Sequence, residues 1–113
     1  MPDCIFCKII AGDIPTKEVY ADENVLVFWD ISPAKAVHVL IVPKIHIASL
    51  AKVAEDNSAA VSACLAVIPK LIETLGLEDG FRLISNCGEY GGQTVHHLHF
   101  HLFGGEKLPV PII

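Results

Sequence analysis

The stretch Gln93-Thr94-Val95-His96-His97-Leu98-His99-Phe100-His101-Leu102-Phe103 carries histidine at three alternate positions, 97, 99 and 101. In a strand, side chains i, i+2 and i+4 share one face at about 6.6 Å per step of two residues, so the spacing predicts a strand over 95–103 with three imidazoles along a single surface. Leu98, Phe100 and Leu102 fall on the opposite face and mark it as core. A core face gains nothing from three polar rings, because each buried imidazole needs a partner for its N–H and its lone pair. A solvated strand face that happens to be rich in histidine is the plainer alternative, and the regular apolar interleaving argues against it.

Working outward, residues 81–86 read as another strand, joined to the histidine strand by the loop Cys87-Gly88-Glu89-Tyr90-Gly91-Gly92. Residues 18–20 and 25–30 read as two short antiparallel strands around Ala21-Asp22-Glu23-Asn24, and 37–42 as a buried β-branched strand closed by Pro43. Residues 5–11 form a short helical segment stopped at Gly12-Asp13, and Ile14-Pro15 forces an extended exit. The one long helix is expected over 55–75, capped by Asp56, Asn57 or Ser58, kinked by Pro69 and ended by Gly76 at C′. It carries two apolar stripes. Val61, Leu65, Ile68, Ile72 and Leu75 are assigned to the sheet, and Ala60, Cys64, Val67 and Leu71 to a second copy of the chain. Five strands with short turns and one long helix predict an antiparallel α+β fold, a single domain over 1–113.

Composition narrows the class. The chain of 113 residues is 52% hydrophobic, which is high for a domain of its size and points to apolar surface covered by a partner, most simply in a homodimer. The net charge of −5, with no block of Lys or Arg, argues against binding nucleic acid, though a small nucleotide needs no such field. Met1-Pro2-Asp3-Cys4 has no basic n-region and no long apolar run follows, so neither a signal peptide nor a membrane span is indicated. The expected compartment is cytoplasmic, where Cys4, Cys7, Cys64 and Cys87 stay reduced.

A lone imidazole acts as a nucleophile when it is neutral, with one nitrogen's proton held and the other's lone pair free. A backbone carbonyl in the same segment can hold that proton. His99 is the middle ring, flanked by two that can donate to phosphoryl oxygens as charge builds. Gly91-Gly92-Gln93-Thr94 lets backbone approach an anion closely and adds an amide and a hydroxyl, although the glycine pair alone reads equally well as a tight turn.

The run from Gln93 to Phe103, followed by Gly104-Gly105, resembles the His-x-His-x-His signature of the histidine triad (HIT) superfamily. Phe28-Trp29-Asp30-Ile31-Ser32-Pro33 and His38-Val39-Leu40-Ile41-Val42-Pro43-Lys44-Ile45-His46 are similar to its nucleotide-binding, purine nucleoside phosphoramidase-like branch. The resemblance covers residues 4–105 and implies a HIT-like fold and a homodimer cleaving purine nucleoside phosphoramidates at the α-phosphorus. It implies His99 as nucleophile, the His97 carbonyl holding its ring, His101 on the phosphate, and Gln93 and Thr94 at the scissile bond and leaving group. Asn86, Gly92 and Val95 would complete the phosphate and nucleotide site, and Asp30 would accept from the ribose hydroxyls. Ile5, Phe6, Ile9, Ile14, Phe28 and Ile31 would sandwich the base, with His38 behind the triad. Two departures stand out: His96 replaces a common Tyr, and the tail over 108–113 lacks the tryptophan with which some members reach the partner's site.

Cys4-Ile5-Phe6-Cys7 has the spacing of a zinc half-site. A redox pair normally follows a strand, and none precedes Cys4. His46 and His97 are the right ligand types to complete a structural zinc site, an arrangement that some superfamily members resemble. A merely packed pair is the other reading. Cys64 is expected in the core, while Cys87 could lie in either environment.

Among rival functions, a hydrolytic zinc on His97, His99 and His101 suffers from the spread of rings along one strand. A dinucleoside polyphosphate hydrolase, a nucleotidyl transferase or a non-catalytic nucleotide-binding module would use the same scaffold.

Overall fold

One carboxylate oxygen of Asp22 accepts from the N–H groups of Asn24 and Val25 at 2.8 Å each, and this turn closes the first hairpin of the chain. The structure, a computed structural model, describes residues 4–111. Met1, Pro2 and Asp3, on which the leader reading partly rests, and the last two residues of the tail lie outside the described residues. The hairpin joins β1 (Glu18–Ala21) to β2 (Val25–Trp29), followed by β3 (Val37–Pro43), β4 (Phe81–Ile84) and β5 (Phe100–Gly104). All neighbours pair antiparallel in the order β1-β2-β3-β5-β4, so the last strand in sequence is inserted beside the third. This is the α+β architecture expected from the sequence.

Pairing aligns Phe28, Leu40, His101 and Ile84 across four strands, which puts them on one face. A short helix, α1 (Ile5–Ile10), covers one end of that face, where Phe6 packs with Leu26, Phe28, Leu40 and Val42. The alternate residues Val25, Val27, Val39, Ile41 and Leu102 form the other face, under α2 (Ser58–Ala66) and α3 (Ile68–Leu75). With helices on both sides, β3 is buried almost throughout. Burying each of its Val and Ile side chains contributes about 1.5–3 kcal/mol.

The long helix is interrupted next to the proline expected to kink it, and departs from expectation in its faces. It is broken at Val67, because Pro69 has no N–H for the Leu65 carbonyl and its ring crowds that position; proline instead sits in the first turn of α3. Both apolar stripes pack against the core, and of the two only Leu65 turns outward. Cys64, Val67 and Leu71 are buried on the sheet, whereas Leu65 is 44% exposed and Val61, Ile68, Ile72 and Leu75 are half-buried. The small Ala60 and Cys64 let the helix approach its own sheet closely, so they serve the core. Asn57 does precede α2, but its side chain bonds Ala54 N–H and the Lys52 carbonyl and caps nothing. Gly76 ends α3 at φ 69°, as expected. By length and mean hydropathy (18 residues, 1.5) Ser58–Leu75 is apolar enough to cross a membrane; it is interrupted at Val67 and lays Cys64, Val67 and Leu71 on the sheet.

Candidate active site and metal centre

Residues 93–99 do not join the sheet, and the strand expected from residue 95 begins at Phe100. Two hydrogen bonds pull this approach off the ladder: Leu98 N–H donates to the Ile47 carbonyl at 2.6 Å, and Ser85 Oγ donates to the His99 carbonyl at 2.8 Å. The three imidazoles therefore do not line one surface. His99 and His101 remain neighbours, with ring centroids 5.1 Å apart. His97 turns aside, fully buried, and the Phe6 ring stands edge-on to both His97 and His99 at 5.9 and 5.0 Å. The rings share no common point, which leaves no place for a three-histidine zinc.

Hydrogen bonds decide each tautomer in turn. His99 Nδ1 lies 2.7 Å from the His97 carbonyl, which can only accept, so the His99 proton sits on Nδ1 and Nε2 carries a free lone pair. Ala34 N–H donates to His38 Nδ1 at 3.0 Å, which leaves the His38 proton on Nε2. That N–H points at His101 Nδ1, 2.9 Å away, and so puts the His101 proton on its own Nε2. Asp30 Oδ2 is farther from His38 Nε2, at 3.6 Å. Burial, then the neighbouring His99 and His38, push the His101 pKa down to about 4, while Asp30 pulls weakly the other way. With its ring neutral, His99 thus offers a bare nitrogen beside an N–H donor on His101. Asp30, His38 and His101 also cluster closely enough for a cation, but the proton assignments make them a relay.

The loop before the triad is tied by its own side chains. Gln93 was expected at the scissile bond; its amide instead donates to the Ala48 and Val95 carbonyls and accepts from Gly88 N–H, because the side chain is buried under the loop. Asn86 Nδ2 donates to the Gly91 carbonyl. Gly92, at φ 82°, needs glycine's freedom, and its N–H is committed to the Glu89 carbonyl, so it is not the open anion donor expected. Among the described residues, the N–H groups of Thr94 and Val95, like those of His96, His97 and His99, have no protein acceptor; Thr94 and Val95 are the two that follow directly on the glycine loop. Thr94 is exposed.

The apolar residues expected around a base are only partly gathered. Phe6 and Phe28 are buried against each other in an edge contact of 5.6 Å. Ile9 and Ile14 line a 270 Å³ groove with Leu26 and Lys44. Ile5 is half-exposed, and Ile31 stands 96% exposed on the loop after Asp30. Asp30 Oδ1 accepts from Ser32 N–H at 2.7 Å, which leaves Oδ2 available.

The four residues expected for zinc do converge. Cys4 Sγ, Cys7 Sγ, His46 Nδ1 and His97 Nδ1 all lie within 4.8 Å of one another, with separations of 3.3 Å (Cys4 to His97), 3.3 Å (Cys7 to His46), 3.5 Å (Cys7 to His97) and 3.2 Å (His46 to His97). Bond lengths to zinc place the edges of a tetrahedral N/S site at roughly 3.3–3.8 Å, and the cluster fits that size. Its second shell fits as well: His97 Nε2–H donates to the Pro43 carbonyl at 2.8 Å, and Cys7 N–H donates to Cys4 Sγ at 3.2 Å. Without a cation, one lone pair on His97 would face three neighbours. Burial lowers the His97 pKa, and burial with the Cys4 contact raises the Cys7 thiol. All four cysteines are free; Cys64 is buried and Cys87 exposed.

Sequence reasoning missed Ser85, Ala34 and Pro43, which act through one hydroxyl and two backbone groups. No residue-type signal marks them.

A HIT domain profile matches residues 11–108, and the chain belongs to that family. It is 43% identical to the purine nucleoside phosphoramidase of Escherichia coli K12 over 94% of this chain and 90% of that protein. It is 42% identical to Protein HitA of Neisseria gonorrhoeae over 92% and 97%. The HIT family hydrolase of Clostridium thermocellum superimposes with a TM-score of 0.96 at 44% identity, covering 100% of this chain and 99% of that one.

Proposed function

We propose that the protein hydrolyses purine nucleoside phosphoramidates of the adenosine 5′-monophosphoramidate type through a nucleotidyl intermediate on His99. The observation that carries this is the 2.7 Å bond from His99 Nδ1 to the His97 carbonyl, which leaves Nε2 bare and aimed away from its own backbone. His99 Nε2 attacks the α-phosphorus, the P–N bond breaks, and the departing amine takes a proton from solvent. Water then attacks the phosphorus and gives up a proton to solvent, the P–Nε2 bond breaks, and the free nucleotide leaves. His101 Nε2–H and the N–H groups of Thr94 and Val95 donate to the phosphoryl oxygens as charge builds. Asp30 Oδ2 accepts from the ribose, and the base lies against the apolar residues near α1. The 43% identity to a purine nucleoside phosphoramidase supports the substrate class.

Zinc on Cys4, Cys7, His46 and His97 would supply a structural cross-link between α1, the chain after β3 and the triad segment. The chain would work as a homodimer, with the exposed Leu65 of α2 and the half-buried residues beside it against its symmetry mate.

The deciding experiment compares wild type and His99→Ala on adenosine 5′-phosphoramidate and on diadenosine polyphosphates. Wild type should turn over the phosphoramidate faster, and His99→Ala should lose turnover while binding AMP nearly as well. Preference for the polyphosphates would move the reading to a dinucleoside polyphosphate hydrolase, and AMP binding with no turnover of either would leave a binding module.

A further inference from the structure

The metal cluster and the candidate nucleophile share a residue and a helix. His97 gives its ring to the cluster and its carbonyl to His99 Nδ1, so one residue faces both centres. Helix α1 begins at Cys4, whose sulfur caps it by accepting Cys7 N–H, and both cysteines belong to the cluster. Phe6 lies between them in sequence. Its ring meets His99 at 5.0 Å and an interplanar angle of 88°, and also touches His97 and Phe28 edge-on. The His99 ring therefore has one hydrogen bond and two close aromatic neighbours, Phe6 and, at 5.1 Å, His101; the hydrogen bond and the Phe6 wall both come from segments that carry metal ligands.

We propose that metal held by Cys4, Cys7, His46 and His97 orients the His99 imidazole, acting through the His97 carbonyl and through Phe6 as a positioning residue. A helix of six residues is too short to persist without tertiary anchors. The apolar contacts of Phe6 hold its middle, and the cluster ties its start to His46 and His97 from distant parts of the chain. Without a cation the two thiols and two Nδ1 atoms cannot all be satisfied, since His97 Nδ1 has three close neighbours and one lone pair. The cluster then spreads, the start of α1 shifts, and Phe6 and the His97 backbone move with it. His99 loses its fixed tautomer as well as its wall. The cross-link thus tunes the reactive nitrogen without touching it. The effect on rate rests on the reading of His99 as nucleophile; the effect on the ring does not.

The test uses full-length protein with ¹⁵N-labelled histidine, zinc-loaded or stripped with a chelator, with folding followed by circular dichroism. Two-bond ¹H–¹⁵N spectra should report a single Nδ1–H tautomer for His99 in the loaded protein and an average of two tautomers after stripping. Single-turnover cleavage of adenosine 5′-phosphoramidate should fall about 10- to 100-fold on stripping, the usual cost of a lost outer-shell support. Phe6→Leu keeps all four ligands; it should retain stoichiometric zinc while shifting the His99 tautomer balance and slowing cleavage. If stripping unfolds the protein, Phe6→Leu decides alone. A protein that binds no zinc, a folded stripped protein with an unchanged His99 spectrum, or Phe6→Leu with an unchanged spectrum overturns the proposal. A changed spectrum with unchanged cleavage upholds the coupling and removes His99 as nucleophile.

Discussion

At the scale of single residues, the site is a sequence of proton assignments that begins at the Ala34 amide and ends at the His101 Nε2–H. His38→Leu removes the donor to His101 Nδ1 and frees His101 to place its proton on either nitrogen. Expected is a loss of about tenfold in kcat/KM, within the range for a misaligned acid–base group, with AMP affinity little changed. Loss in KM alone would contradict the relay. The same residue carries a pH dependence. Unfolded His101 takes a proton near its ordinary value of about 6.5, whereas the folded ring, facing Asp30, His38 and His99, takes one only near 4. Between those values acid favours the unfolded chain, so this stability is fully present above the unfolded value and lost as pH falls towards the folded one. Thermal melts should fall from pH 7 to pH 5, and His101→Gln should flatten that slope. The triad and the cysteine pair were legible because residue type and spacing announce them. The roles of Ala34, Pro43 and Ser85 were not, since an amide, a carbonyl and a serine say nothing until the chain folds.

At the scale of elements, periodicity located the five strands and the helical region but could not rank two equally apolar stripes. Hydropathy measures how much a face gains by leaving water; it does not record that the small Cys64 is fully buried while its larger neighbour Leu65 turns outward. The histidine strand was likewise drawn too long, because alternation persists through residues 95–99 although their hydrogen bonds leave the ladder for Ile47 and Ser85. Gly76 was legible, and it gives a sharp test. With φ at 69° and nothing near its missing Cβ, Gly76→Ala meets only backbone strain. It should cost about 1–2 kcal/mol by denaturant titration without altering zinc content or cleavage. Leu71→Ala, by contrast, opens a void beneath α3 and should cost about 2–5 kcal/mol.

For the whole molecule, the burial of Cys64 and exposure of Leu65 change which variant probes assembly. Cys64 is buried in the protomer, so a charge there reports on folding. Leu65→Arg instead places charge on an exposed helix position, and sedimentation at micromolar concentration should find a dimer in the wild type and a monomer in the variant, with each protomer still folded. A wild-type monomer, or a variant that still dimerises, would move the interface elsewhere.

The order β1-β2-β3-β5-β4 also has a consequence in time. Strand β5 is made last yet lies between β3 and β4, so a chain emerging from the ribosome exposes the open edge of β3 until some sixty further residues arrive. Closing that distance is slow compared with forming a hairpin. During the interval the apolar ladder of Val37–Pro43 can pair with any strand it meets, including the same segment of a neighbouring chain. Crowded synthesis should therefore favour misassembly at this edge, and a permuted chain that begins before β4, and so makes β4 and β5 ahead of β3, should refold faster with less aggregation than the natural order.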